Sequence, residues 1–388
     1  MLAVPTPSGA YRAVAIAAVV VLAACASTPA IDVPEVTAHR IVAPDQAAAD
    51  GRFVIGAVLA AQGVLAPEES VVLTALRAAV THQNAVAGIG GRDIELLVGD
   101  TASSIVDAAR VANQLADAGA DVLFVGCDVD IASTVARVAR RASRVAVSSC
   151  AADDAFGTDT ASNVAFSFAP SASGQADALA QRLVAGRSTS AVTLSDLVPY
   201  ESTGACQRFG ARYRERGGTV VAEIEIGVAE SAATIAARVA RVGASSVLVS
   251  CLGRAHVGPI LEALRSAGFT SPMVAMGGAD APPWPGGRVD GVTFVTTANV
   301  WPGDPGLAPL VAAGAVSGPA LHTFITIDVL AQAVAAAPDA RSASIIEKLR
   351  STTFATVIGP LRFDTRQRAV GVPIVFARTA GAGAENSR

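Results

Sequence analysis

The sequence is poor in charged residues, in aromatic residues and in long apolar runs. Only 16 % of its 388 residues are charged and 4 % are aromatic, whereas 52 % are hydrophobic. A chain this apolar can bury a large core, which excludes disorder over most of its length. The formal net charge is −4, and the chain has no basic run that could follow a phosphate backbone. We therefore expect no nucleic-acid partner.

The N-terminal apolar run is too short to span a bilayer comfortably. It covers Ala13 to Ala24 after Arg12, which suits the core of a signal peptide. It ends in "LAAC" (22–25), which resembles the bacterial lipobox and implies that Cys25 is lipidated. Ordinary cleavage near Ala24 is the alternative. We predict a signal peptide over 1–24, a flexible tether over 25–50, and a membrane contact through the lipid anchor only.

Motifs for catalysis and for metal binding are also missing. The four histidines show no metal-ligand spacing, and no Gly-x-Ser-x-Gly elbow or Cys/His nucleophile pattern is present. "GIGGRD" (88–93) follows a predicted helix and precedes a strand, the reverse of a dinucleotide-binding fingerprint, so it reads as a turn. We expect no enzyme activity, no cofactor and no metal.

From residue 52 onward, short apolar runs alternate with amphipathic stretches. "FVIGAVL" (53–59) and "DVLFVGC" (121–127) are continuous apolar runs typical of parallel strands buried on both faces. The pattern repeats after about residue 190, which predicts an α/β fold of two doubly wound, Rossmann-like lobes. In such sheets a ligand binds beyond the carboxyl ends of the strands, so two facing lobes would form a cleft.

Three stretches resemble the type I periplasmic-binding-protein fold, particularly the branched-chain amino acid binding proteins of ABC importers. They are "AAVTHQNAVAGIGGRDIELLVGDTASS" (78–104), "GPILEALRSAGFTSPMVAMGG" (258–278) and "TVIGPLRFDTRQR" (356–368). The resemblance covers about residues 52 to 380 and implies two lobes that close on a small ligand, as a Venus flytrap does. It predicts an N-terminal lobe over 51–169 plus 298–358 and a C-terminal lobe over 170–297 plus 359–381. The last residues, 382–388, are expected to form a disordered tail.

The resemblance also implies the ligand contacts. Residue by residue, these fall on Asp130, Ala151, Asp153, Tyr200 and Asp280. Asp130 and Asp153 stand where the family has hydroxyls that hold a ligand carboxylate. Because like charges repel, a cation or a polyol would suit these positions better than an α-carboxylate. The alternative is that Asp130 caps a helix and that Asp153 caps a helix or a turn.

Four cysteines follow Cys25, and an even number in an oxidising compartment favours disulfides over free thiols. A bridge between the lobes would block closure. The expected pairs lie within the lobes, Cys127–Cys150 and Cys206–Cys251.

The resemblance favours a monomeric, lipid-anchored substrate-binding protein of an ABC importer. It would lie on the periplasmic or extracellular face and have permease subunits as partners. The alternative is a regulatory envelope lipoprotein of the same fold, such as a cell-wall synthase activator, with no transported ligand.

Overall fold

The computed structural model describes residues 51–156, 163–197, 200–227, 230–242, 246–277, 284, 289–297, 304–315 and 317–379. The predicted signal peptide, Cys25, the tether, Asp280 and the predicted tail lie outside these described residues. The Tyr200 backbone is described, but its side chain is not.

The first lobe is built on a parallel sheet in which five strands follow the order β2-β1-β3-β4-β5. All seven residues of β1 are buried, as expected for a central strand covered on both faces. The elements are β1 (Phe53–Leu59), α1 (Ala66–Val86), β2 (Ile94–Asp100), α2 (Ile105–Asp117), β3 (Val122–Val125), α3 (Val129–Arg141), β4 (Val145–Ser148) and β5 (Ala165–Ser167).

The second lobe repeats this plan. Its elements are α4 (Ala172–Ala185), β6 (Ser190–Asp196), α5 (Tyr200–Glu215), β7 (Thr219–Ile226), α6 (Ala232–Ala240), β8 (Val247–Ser250), α7 (Arg254–Ser266), β9 (Met273–Ala275) and β10 (Val292–Thr296). Several of its helices have an N-cap residue whose side chain accepts a hydrogen bond from a backbone N–H of the first turn. Ser171, for example, accepts from the Gly174 backbone N–H.

The chain then returns through both lobes. A 3₁₀ turn (Pro305–Leu307) leads into α8 (Ala308–Ala312), α9 (Gly318–Ala336), α10 (Ser342–Ser351), β11 (Phe354–Thr356), β12 (Gly359–Phe363), β13 (Ala369–Val370) and β14 (Val375–Arg378). β14 runs antiparallel to β10 and completes a sheet of order β14-β10-β9-β8-β6-β7. The predicted α/β class is confirmed.

The three-stranded sheet β11-β12-β13 packs against the first lobe. Phe363 lies edge-on to Phe166 and Phe168, with ring centroids 5.1 and 5.0 Å apart, and all three belong to the first hydrophobic core. The sequence assigned the whole segment 359–381 to the second lobe. In the structure this segment is divided: Phe363 packs in the core of the first lobe, and β14 lies in the sheet of the second.

Within the described residues, α9 is the one helix long and apolar enough to cross a membrane. However, 67 % of its most apolar window is buried inside the protein, and Phe324 packs against His82 of α1 with ring centroids 5.4 Å apart. These contacts make α9 a core helix of the first lobe.

Candidate ligand-binding cleft

The two lobes contact each other near the carboxyl ends of their parallel strands. α1 of the first lobe contacts α7 of the second, and Arg208 of α5 reaches Asp153, which follows β4. Loops after parallel strands are where α/β proteins place their ligand contacts. Of the candidate residues, Ala151 and Asp153 lie on the loop after β4, and Asp130 lies in the first turn of the helix that follows β3.

Asp153 is buried and paired inside the protein. Its side chain is 1 % exposed. Its Oδ1 accepts from the Ala155 backbone N–H at 2.8 Å, and its Oδ2 accepts from the Arg208 guanidinium of the second lobe. A carboxylate neutralised in this way no longer repels a ligand carboxylate as a free one would. The charge argument for a cationic or polyol ligand therefore loses its support from Asp153.

Arg368 fixes the loop that carries Asp153. It is 4 % exposed, and its guanidinium donates to the carbonyl of Ala152 at 3.2 Å, to that of Phe156 at 3.0 Å and to that of Asp153. Burial lowers the pKa of Arg368. Charge-assisted bonds to three carbonyls hold this loop to the first lobe.

Asp154 ties the same loop to the second lobe. Its Oδ2 accepts from the backbone N–H of Ser173 at 3.2 Å and from the Ser173 hydroxyl, in the first turn of α4. The backbone N–H of Ala172 donates to the Ala152 carbonyl at 2.7 Å. Asp154 also lies 3.3 Å from Nε of Arg208. The structure therefore gives Asp154 a helix-end contact rather than an open position.

Asp130 is exposed in the first turn of α3. The N-cap of this helix is Asp128, whose Oδ1 accepts from the backbone N–H groups of Asp130 and Ile131 at 3.0 and 2.9 Å. Capping by Asp130, the alternative considered from the sequence, is therefore wrong by two positions. Burial is the main cause that raises the pKa of Asp128. The Asp130 carboxylate stays available to solvent at the rim of the first lobe.

Ala151 is fully buried. Its carbonyl, expected from the resemblance to meet a ligand, accepts from the Ser167 hydroxyl at 2.8 Å. Its N–H donates to the Ser148 hydroxyl at 2.9 Å. Both polar groups of this backbone segment thus have partners within the first lobe.

Both expected disulfides are present. Cys127 pairs with Cys150 across the ends of β3 and β4, with Cα atoms 4.6 Å apart. Cys206 of α5 pairs with Cys251 after β8, with Cα atoms 5.7 Å apart. Each bridge joins elements of one lobe, so neither prevents the lobes from moving relative to each other.

Glu69 was not singled out from the sequence. It lies in the first turn of α1, is 2 % exposed, and accepts from the Ala60 backbone N–H at the end of β1. Its Oε1 is buried as well. Burial, and then the nearby Glu68 and Asp128 carboxylates, raise its pKa to about 8. Glu69 therefore carries a proton at neutral pH.

Gly126 leaves the space that Glu69 fills. A Cβ atom built on Gly126 would lie 2.0 Å from Oε1 of Glu69, far closer than two non-bonded heavy atoms can approach. The Gly126 carbonyl also accepts from the Ser148 hydroxyl at 2.8 Å. The ends of β1, β3 and β4 thus meet around one neutral carboxyl group.

The second lobe carries an aspartate–histidine pair at its strand ends. Asp196, the buried last residue of β6, accepts from the Gly253 backbone N–H at 2.6 Å and contacts Nδ1 of His256 at 2.6 Å. The His256 side chain is 44 % exposed. His256 lies in the first turn of α7, and the sequence gives no signal for its pairing with Asp196, because 60 residues separate the two.

The comparisons with known proteins agree with this architecture. The family model described as "Periplasmic binding protein" matches residues 53–384. The chain belongs to this family. The predicted resemblance is therefore confirmed at the level of the family, and the fold that goes with it is present in the structure. No curated protein matches the chain.

Among solved structures, the chain is similar to a branched-chain amino acid transporter substrate-binding protein, LivJ from Streptococcus pneumoniae, in complex with isoleucine. The two are 18 % identical, with 85 % of this chain and 96 % of that one covered and a TM-score of 0.75. The leucine-binding protein LivK from Thermotoga maritima gives the same identity and coverage and a TM-score of 0.74.

A solute-binding protein of an ABC transporter from Rhodopseudomonas palustris BisB5, in complex with 3,4-dihydroxybenzoic acid, is 14 % identical. The alignment covers 85 % of this chain and 93 % of that one, with a TM-score of 0.72. At identities this low, the TM-scores show that the fold is shared, and they leave the ligand open.

Proposed function

We propose that the chain is the extracytoplasmic substrate-binding component of an ABC importer, and that it captures a small polar solute by lobe closure. The observation that carries this proposal is the contact of two lobes at their strand ends, in a member of the periplasmic binding protein family. A ligand that touches both lobes would favour the closed state through its differential contacts. The closed form would then dock on permease subunits, and no catalytic step is needed.

The ligand class follows from the charges that remain free at the cleft. With Asp153 paired, the preference for a cation or a polyol rests on the exposed Asp130. The solved relatives carry isoleucine and 3,4-dihydroxybenzoic acid, which supports a small organic solute of amino-acid or aromatic-acid size. Tyr200 and Asp280 remain proposed contacts from the second lobe.

A thermal-shift screen tests the importer proposal. The soluble form from residue 26 is mixed with branched-chain amino acids, polyamines and betaines, polyols, and aromatic acids. A ligand at about 100 times its Kd adds about 2.7 kcal/mol to stability, which is easily measured. Stabilisation by a polyamine that is lost in Asp130→Asn supports a cation site. Stabilisation by leucine or an aromatic acid keeps the importer and rejects the cation.

The membrane anchor is a second part of the proposal. The "LAAC" sequence at 22–25 supports lipidation of Cys25. Labelled palmitate fed to cells that express the full chain should enter the wild type and not the Cys25→Ser variant. Equal labelling of both chains, or labelling of neither, would contradict the anchor and leave the binding role untouched.

One observation favours the alternative, a regulatory envelope lipoprotein. The resemblance expects Asp153 to contact a ligand, but its carboxylate is paired with Arg208 inside the protein. A cleft that no longer binds a ligand would show such a pair. This reading predicts no shift with any solute of the panel and a stable complex with another envelope protein.

A further inference from the structure

We infer that His256 is a second-lobe contact for a hydrogen-bond donor of the solute, a hydroxyl or an ammonium group, and that Asp196 is the residue that positions it. The inference rests on the proposed function, because it names the chemical group that the cleft would bind. It adds a side chain to Tyr200 and Asp280, the second-lobe contacts proposed from the resemblance.

The pair of Asp196 and His256 lies at the carboxyl ends of inner strands of the second sheet. Asp196 is the last residue of β6, and His256 lies in the first turn of α7, which follows β8. β6 and β8 are neighbours in that sheet. The carboxyl ends of such strands form the binding side of an α/β lobe, and α7 contacts α1 of the first lobe. The imidazole therefore lies on the cleft side of the second lobe.

Asp196 holds the ring and determines which nitrogen carries the proton. Its side chain is 3 % exposed. Its Oδ2 accepts from the backbone N–H of Gly253, the residue before α7, and its Oδ1 lies 2.6 Å from Nδ1 of His256. Because carboxylate oxygens only accept, Nδ1 supplies the proton of this bond. In the neutral ring, Nε2 then carries the lone pair.

Nε2 is the nitrogen that a solute can reach. The His256 side chain is 44 % exposed, and no residue that the structure describes forms a hydrogen bond with Nε2. A neutral imidazole in this tautomer accepts at Nε2 and cannot donate there. With a neutral ring the pair carries the negative charge of Asp196, which suits an ammonium or a hydroxyl group and disfavours a carboxylate at the same position. The exposed Asp130 of the first lobe favours the same solutes.

Nitrogen-15 NMR of the histidine side chains tests the positioning role without any solute. The His256→Phe variant of the soluble form from residue 26 identifies the His256 signals by their loss. At neutral pH the wild type should show a proton on Nδ1 and none on Nε2. In Asp196→Asn the amide can still accept from Gly253 and can donate to Nδ1, so the proton should move to Nε2. A wild-type ring that carries a proton on Nε2 would overturn the assignment.

Titration calorimetry with matched probes tests the contact itself. Leucine, putrescine, ribitol and 3,4-dihydroxybenzoate carry donors; 4-methylpentanoate and benzoate are the partners of leucine and of 3,4-dihydroxybenzoate that lack them. A donor-bearing probe that binds the wild type should bind His256→Phe about fivefold to tenfold more weakly, as expected for one lost hydrogen bond. The control Glu262→Gln, at an exposed position further along α7, should keep the wild-type affinity. His256→Ala replaces His256→Phe if the larger ring is not tolerated.

Failure of this contact and failure of the importer proposal give different results. If a donor-bearing probe binds the wild type and His256→Phe with equal affinity, the contact is overturned and the importer proposal stands. The same holds if a donor-free partner binds the wild type as tightly as the donor-bearing probe does, because the donor then contributes nothing. If no probe binds the wild type, the contact and the solute-binding role are overturned together.

Discussion

Replacing Glu69 by glutamine should stabilise the protein, by an amount that grows with pH. Burial raises the pKa of Glu69 from 4.5 to about 8, so folding favours the neutral carboxyl. Its stabilising contribution is complete below about pH 4.5 and is lost as the pH rises towards about 8. Each pH unit in that window costs the wild type about 1.4 kcal/mol. Between about pH 5 and about pH 8 the Gln variant should gain about 3 kcal/mol over the wild type.

Urea unfolding at several pH values, with the disulfides intact, measures this gap from the midpoints and slopes. Glutamine can keep the bond from the Ala60 N–H through its side-chain oxygen, which makes it a close substitute for the protonated acid. The exposed Glu347 of α10 provides the control, and its Gln variant should follow the wild type. A gap between Glu69→Gln and wild type that does not change with pH would refute a buried neutral Glu69.

Two further perturbations concern buried positions of the first lobe, Gly126 and His322 of α9. Gly126→Ala places a Cβ 2.0 Å from Oε1 of Glu69 and should destabilise the protein by about 1–3 kcal/mol. The control Gly227→Ala, which has open space around its Cβ, should be tolerated. Equal melting temperatures for the two variants would contradict the close packing of Gly126 against Glu69. Burial lowers the pKa of His322 from 6.5 to about 4, so the stability it contributes above pH 6.5 is lost as the pH falls through about 4. Between pH 6.5 and pH 4 the free energy of unfolding of His322→Gln should therefore fall by about 3 kcal/mol less than that of the wild type, as measured from urea midpoints. If the two proteins lose stability equally over this range, His322 is not buried in its neutral form.

The sequence predicted the architecture well because the signals for it are local. Continuous apolar runs such as "FVIGAVL" (53–59) identify buried parallel strands wherever they occur. The disulfides could also be anticipated, since Cys127 and Cys150 end predicted neighbouring strands and the structure pairs them. Both inferences need only the order of elements along the chain.

The cleft could not be predicted to the same depth, because its interactions join distant segments. Arg208 and Asp153 are 55 residues apart, and nothing in the sequence around either residue indicates the other. Helix capping failed for a different reason. Asp128 and Asp130 both precede the apolar stretch of α3, and only the backbone geometry selects Asp128 as the cap.

The buried acid shows a third limit. Glu69 follows Glu68 in what looks like an acidic, solvated first turn of a helix. The fold instead directs Glu69 beneath the strand ends, where Gly126 makes room for it. A sequence pattern assigns a face to each residue of a helix, but it does not show what the first turn meets at the edge of a sheet.

Native mass spectrometry of the soluble form from residue 26, mixed with pools of the solute panel, tests the central claim most directly. The account predicts a complex of one chain with one solute from a single chemical class, which competes with related members of that class. Spectra that show only the free chain with every pool would contradict solute binding.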